Sequence, residues 1–392
     1  GRGRCSLRCT GDDVVSDGPP PSITHALRDP QSAASCNLQQ WEALVREARR
    51  ANLLSRLAHD VAECGLLDHV PPAPRAHLVA AQTLAEAQAD AMRREVAFIR
   101  QALAKVDVDI VLLKGAAYLM AGLPAARGRL FSDVDILVPL ERLPEVEAAL
   151  MLHGWFATHH SDYDQRYYRD WMHELPPLRH AVRTTVVDVH HAILPRTARL
   201  KPSSAKLLAA ARPIPGADRL RVLSPTDLVL HSATHLFHEG EWQHGLRDLV
   251  DLDALLRNSG DEAGFWDELI ARAEVLNLGR PLFYGLRYCH LLLATPLPPG
   301  LLERCPGRPP PRAAALMDRL FVPAFATAHA SCRLPGSGFA AQALYLRSHW
   351  LRMPPQLLLP HLAQKFWQTN VAERFAAEDQ PPGGGQRPNP LP

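Results

Sequence analysis

Asp133 and Asp135, in the run Phe131-Ser-Asp-Val-Asp-Ile-Leu-Val138, are the residues whose types and spacing most clearly imply chemistry. A strand turns successive side chains to opposite faces, so carboxylates at i and i+2 leave the same face, about 7 Å apart at their Cα atoms. Two like charges at that spacing call for a cation. Mg²⁺ suits them, because it takes few carboxylates, keeps positions open for water and phosphate oxygens, and in two-metal sites sits about 3.5 to 4 Å from its twin. The chemistry implied is phosphoryl or nucleotidyl transfer.

Upstream, Ile110-Val-Leu-Leu-Lys-Gly-Ala116 reads as a buried strand that breaks at Lys114-Gly115 and runs into helix-forming residues. A strand, a glycine turn and a helix start form an anion cradle, in which Gly115 lets backbone N–H groups come close and Lys114 adds a point charge. Without the carboxylates downstream Lys114 is equally readable as a solvated strand end; with them that becomes the minority reading. A third carboxylate lies in Thr184-Thr-Val-Val-Asp-Val-His-His191, a β-branched run that sets Val186, Asp188 and His190 on one face. Asp188 is then a candidate metal ligand and acceptor of a hydroxyl proton, or else a turn residue at a strand end.

With these residues in view, Leu112-Leu-Lys-Gly-Ala, Arg129-x-x-Ser-Asp-Val-Asp-Ile-Leu-Val138 and Val187-Asp-Val-His190 resemble the nucleotidyltransferase superfamily, and more narrowly its bacterial uncharacterised nucleotidyltransferase family. The resemblance implies an α+β fold, a small mixed β-sheet flanked by helices with helical regions at both ends, together with two Mg²⁺ ions and an NTP donor. It gives Asp133, Asp135 and Asp188 the metal-binding and catalytic roles, and places Lys114, Gly115, Arg129 and Ser132 on the nucleotide. Ala116 stands where the superfamily usually has a small hydroxyl residue or a second glycine, so phosphate contact there would be through backbone alone. Arg127 and Arg129 precede the carboxylates in the connecting loop. Arg129 matches the family's recurring arginine, either gripping phosphate or holding Asp133 or Asp135 in place.

The bulk of the chain excludes several classes. Its 392 residues carry 43 basic and 41 acidic side chains, a formal charge of +2 that gives no global attraction to nucleic acid or membrane. Seven scattered cysteines, Cys5, Cys9, Cys36, Cys64, Cys289, Cys305 and Cys332, contain no C-x-x-C pair and form an odd count, which argues against a disulfide framework and for the cytoplasm. No apolar run approaches the ~20 residues of a membrane-spanning helix, so no transmembrane segment is expected. The chain begins without Met, and its start is read as a fragment or a misplaced frame.

Composition and periodicity divide the chain further. Residues 1–36, rich in Gly, Pro, Ser and Asp, read as disordered. Residues 37–105 read as helical, with a break at Val70-Pro-Pro-Ala-Pro74 and a long helix from about Ala76 to Ala104. The transferase core is assigned to 106–222, with a helix at Leu143–His153 stopped by Gly154. A helical domain at 223–297 opens at Ser224, with Asp227 at the capping-box position. A Pro-rich joint with C-terminal helices takes 298–367, and 368–392 is a low-complexity tail.

His231, His235 and His238 fall on one helical face, followed by His244 and Asp248. That spacing carries a rival reading, a His/Asp metal-dependent phosphohydrolase, against the simpler one that these side chains line the helical face toward the cleft. Leu344-Tyr-Leu-Arg-Ser-His-Trp-Leu-Arg-Met353 and Leu357–His361, with Lys365, read as a docking stripe packed on its own domain rather than a membrane-surface helix. The expectation is thus a Mg²⁺-dependent nucleotidyltransferase that moves an NMP from an NTP to a hydroxyl acceptor and releases pyrophosphate. Small molecule, protein side chain and RNA 3′ end remain open as acceptor, and a non-catalytic nucleotide-binding or scaffold protein is the principal alternative.

Overall fold

The aliphatic and β-branched runs around residues 110, 134 and 187 pair in a single seven-stranded mixed sheet, in the order β3-β4-β5-β2-β1-β7-β6. Its strands are β1 (Ile110–Leu112), β2 (Asp133–Leu137), β3 (Trp155–Ala157), β4 (Leu178–His180), β5 (Val186–His190), β6 (Arg212–Pro213) and β7 (Leu220–Val222). The computed structural model describes residues 22–158, 167–238, 242–326, 336–354 and 356, without the side chains of 167, 170 and 243. Among these the architecture is α+β, as expected. β2 and β5 run parallel, in a register that sets Asp133 opposite Val186 and Asp135 opposite Asp188. β1 lies antiparallel to β2 on the other side and feeds directly into the Lys114 turn.

The N-terminal helices α1 (Ile23–Arg28), α2 (Leu38–Arg50), α3 (Leu54–Glu63) and α4 (Pro72–Ala102) bury Trp41, Leu44, Leu57, Leu78 and Ile99 in one core with the sheet. The assignment of disorder to residues 1–36 fails for the described part. Ser22 caps α1, the Ile23 N–H donates to Glu47 Oε2 at 3.0 Å, and Ile23 and Ala26 are fully buried. Two buried apolar side chains on a six-residue helix are too few to show in composition; residues 1–21 lie outside the described residues. α4 begins at Pro72, earlier than expected, because the prolines read as a break occupy its first turn, where a missing N–H costs nothing.

α4 then serves as a spine for the site. Buried Glu95 accepts from Arg183 Nε at 2.8 Å and from Thr185 Oγ1 at 2.7 Å, fixing the turn that leads into β5. Gln88 Oε1 accepts from the Phe131 N–H at 2.9 Å, fixing the start of β2. Short helix α5 (Lys114–Met120) follows β1, and α6 (Leu143–Leu152) ends at Gly154, whose φ of +98° suits a residue without Cβ. α7 (Ser204–Ala210) connects to β6.

Beyond β7 come α8 (Pro225–His238), α9 (Gly245–Ser259), α10 (Phe265–Val275), α11 (Gly279–Leu293), α12 (Leu301–Arg304), α13 (Pro311–Phe325) and α14 (Ser337–Arg352). Ser224 Oγ caps α8 by accepting from the Asp227 N–H at 3.3 Å. The Asp227 carboxylate, however, pairs with Arg272 of α10 at 2.7 Å, a tertiary contact where a reciprocal capping box was expected. Phe237, Tyr288, Phe321 and Phe325 bind α8, α11 and α13 through ring contacts, with Phe237 5.1 Å from Phe321. The segment read as a Pro-rich joint contains α12. α14 buries Leu344, Ser348 and His349, while Trp350 stays 47% exposed beneath the Arg199 guanidinium. Leu357–His361 and Lys365 lie outside the described residues. No helix among the described residues is long and apolar enough to cross a membrane.

Candidate active site

The parallel pairing of β2 with β5 does what the sequence spacing could not do alone. Asp133 and Asp135 share a strand face by alternation, and Asp188 joins them because the register places it directly beside Asp135. Asp188 therefore sits in mid-strand, not at a turn.

Asp135 is 3% exposed, and its Oδ1 takes two donors, Lys114 Nζ at 2.9 Å and His190 Nε2 at 2.9 Å. Burial by itself would raise the pKa of this carboxyl. The Lys114 ammonium and the His190 bond outweigh burial and hold it well below the usual carboxylate range. Asp188 behaves oppositely. Burial first, then the charges of Asp135 and Glu174, push its pKa up to about 7, and its Oδ1 is buried without a hydrogen-bond partner. Asp133 is more open and accepts from Ser132 Oγ at 2.7 Å.

Lys114 has a left-handed backbone, φ +46°, which costs a non-glycine residue roughly 1 kcal/mol or more and aims its side chain back at Asp135. A Cβ on Gly115 would lie 2.1 Å from a terminal nitrogen of Arg129. Gly115 is thus glycine at least in part to make room for that guanidinium. Arg129 pairs with neither Asp133 nor Asp135. Its Nε donates to Asp251 Oδ2 of α9 at 2.8 Å, with both side chains nearly buried and the Phe131 ring 5.5 Å away. Burial would strip its charge, and Asp251 more than restores it. Arg127 reaches outward to Glu63 at 3.5 Å.

These elements enclose a cavity of about 470 Å³, within the range of roughly 300–1,000 Å³ typical of small-molecule sites. Lys114, Gly115, Arg129, Ser132, Asp133 and Asp135 form one wall; His235, His244 and Arg247 form the other. Asp188 is not part of that wall. A second cavity, about 300 Å³, lies against Arg127 and Arg129 toward α3 and α4 and contains none of the three carboxylates.

The helical histidines divide. His235 and His244 line the cavity, whereas His231 is buried and held at a pKa of about 3 by burial, then by Lys114 and His235. Among the described residues, two groups bring three ligand atoms close enough to share a metal: His173 with Glu174 and His190, and His59 with Asp60 and Glu63. Neither includes a residue of α8 or α9, so the ligand set of the phosphohydrolase reading is not assembled there. Sequence reasoning missed Asp251, Glu95, His173 and Glu174: Asp251 and Glu95 meet partners far away in the chain, and His173 and Glu174 reach the site through an isolated bridge to His190. Only His190, on the same strand face as Asp188, carried a usable signal.

A solved structure of an antigenic nucleotidyltransferase-like protein from Paracoccidioides brasiliensis aligns with 54% of this chain and 96% of its own at 13% identity, with a TM-score of 0.29, too low to support any argument. No curated protein matches the chain. The model of the uncharacterised nucleotidyltransferase family, by contrast, spans residues 37–294, from α2 to the end of α11. That span takes in the sheet, all three carboxylates and the helical wall opposite them, and the chain belongs to this family.

Proposed function

We propose that the chain is a Mg²⁺-dependent nucleotidyltransferase that moves an NMP from an NTP to a hydroxyl acceptor. The observation that carries this reading is the β2–β5 register, which gathers Asp133, Asp135 and Asp188 on one face with a buried Asp188 oxygen lacking any partner. An orphaned carboxylate oxygen beside two further carboxylates is a hard, all-oxygen donor set of the kind Mg²⁺ prefers. Asp133, Asp135 and Asp188 would hold the metal, which when bound neutralises charge on the triphosphate and on the departing pyrophosphate.

The chain's own side chains supply the rest. Arg247, His235 and His244 line the same cavity as Asp133 and Asp135 and offer donors to a polyphosphate. Asp188, with a pKa near neutrality, suits proton acceptance from a hydroxyl. The acceptor oxygen bonds to the α-phosphorus, its proton passes to Asp188, and the bond between the α-phosphorus and the bridging oxygen breaks to release pyrophosphate. The test is pyrophosphate release from each of the four NTPs when cell extract supplies acceptors. Release by the wild type and its loss in Asp133→Asn and Asp188→Asn supports the reading, and equal turnover in all three proteins rejects it.

One observation favours a second reading, a nucleotide-binding scaffold: Asp135 Oδ1 already takes two donors, so Lys114 occupies ground that a cation would otherwise hold. On that reading NTP binds without Mg²⁺ and no pyrophosphate appears with any acceptor.

A further inference from the structure

The hydrogen bonds of the carboxylate site continue beyond it. Glu174 and His190 face each other in an isolated antiparallel bridge, fixed by the His191 N–H donating to His173 O at 2.8 Å and the Leu175 N–H donating to Val189 O at 2.9 Å. This short pairing gathers His173, Glu174 and His190, with one ligand atom from each within 4.8 Å of the others. The two imidazoles are buried, their ring centroids 5.2 Å apart, and Glu174 is part-buried.

Two distances match a metal centre. Glu174 Oε2 lies 3.2 Å from His190 Nδ1, close to the edge of about 3.4 Å between two ligands held roughly 2.1 Å from one ion at the tetrahedral angle. His190 Nε2 lies 2.9 Å from Asp135 Oδ1. A histidine that ligates through one ring nitrogen commonly donates its other N–H to a carboxylate, which fixes its tautomer and orientation. Two imidazoles with one carboxylate select a borderline transition metal, whereas Mg²⁺ favours oxygen alone.

We infer that His173, Glu174 and His190 form a separate site for one divalent transition-metal ion of the Zn²⁺ class, placed beside the carboxylate site and joined to it through the His190–Asp135 bond. With the ion on Nδ1, His190 carries its proton on Nε2 and pins Asp135 Oδ1, leaving the other Asp135 oxygen for the nucleotide site. This inference does not depend on the nucleotidyltransferase reading.

The test is titration of Co²⁺ into the full chain in excess Mg²⁺, read by visible absorption. The proteins are the wild type, an Asp133→Asn, Asp188→Asn variant, and the Glu174→Gln and His173→Gln variants, with circular dichroism to check folding. One equivalent should bind with the strong absorption of a low-coordinate imidazole site and be displaced by Zn²⁺. The Asp133→Asn, Asp188→Asn variant should retain it, and Glu174→Gln should weaken it at least about tenfold. Glu174→Gln carries the decision if His173→Gln fails to fold, because Glu174 is only part-buried. Absence of Co²⁺ binding would overturn the inference, as would binding lost in the Asp133→Asn, Asp188→Asn variant or unchanged in a folded Glu174→Gln.

Discussion

The two walls of the cavity are built by different means. On the sheet side, strand alternation places Asp133 and Asp135 in the wall, and one parallel register sets Asp188 beside them, so a residue's position along its strand almost fixes its place in the site. On the helical side, His235, His244 and Arg247 arrive from a hundred or more positions beyond Asp133 and Asp135. Their placement depends on how α8 and α9 pack, through Asp227 with Arg272 and Asp251 with Arg129. Register makes the sheet wall rigid and legible, and ion pairs between distant residues hold the helical wall.

Four outcomes sharpen or break this contrast. The largest effect on nucleotide binding is expected from Asp135→Asn, which removes a carboxylate of the proposed metal site and leaves Lys114 and His190 facing a neutral amide. Mg²⁺-dependent NTP affinity measured by calorimetry should fall by about a hundredfold or more. Next, Asp251→Ala should cost about 3–5 kcal/mol in denaturant melts, because it strands the buried Arg129 charge under Gly115. The double variant Arg129→Met, Asp251→Leu should recover most of that loss. Full stability in Asp251→Ala would mean that the helical wall does not depend on this pair.

A smaller effect should follow pH. The Asp188 pKa is about 7 in the fold and roughly 4 in the unfolded chain, so between those values the fold binds the extra proton and stability declines as pH rises. The decline, a few kcal/mol at most, should be complete above about pH 7. It should vanish in Asp188→Asn and flatten when Mg²⁺ is added. The smallest effect is expected from Arg247→Ala, which should weaken NTP binding by roughly tenfold, about 1.4 kcal/mol, with little change in melting temperature. Arg247 already bonds the neighbouring Asp248 at 2.6 Å, so its loss should disturb the cavity more than the core.

Much of the sheet wall was legible in the sequence. Asp133 and Asp135 announce a shared face by spacing, Lys114-Gly115 announces the break after a buried strand, and the β-branched run around Asp188 announces a second strand. Pairing was not legible, because alternation gives the face of each strand but not its neighbour. The clamps were hidden for the same reason. Glu95 meets Arg183 across 88 positions, and Arg129 meets Asp251 across 122. Nothing local to either residue marks its partner. Prolines at Pro72 and Pro74 read as an interruption because a helix start and a helix break use the same residue. The His231 to His238 spacing was a true helical face, yet the helix buries His231 while His235 meets the cavity.

The central claim is that Asp133, Asp135 and Asp188 form one metal-nucleotide site. Its most direct test is electron paramagnetic resonance of Mn²⁺ titrated into the wild type and into Asp188→Asn, in turn with ATP, GTP, CTP and UTP. The account predicts that at least one nucleotide drives tight Mn²⁺ binding to the wild type, and that the single substitution on the neighbouring strand sharply weakens it. Nucleotide-dependent Mn²⁺ binding that is equal in the two proteins, or absent from both with every nucleotide, would contradict it.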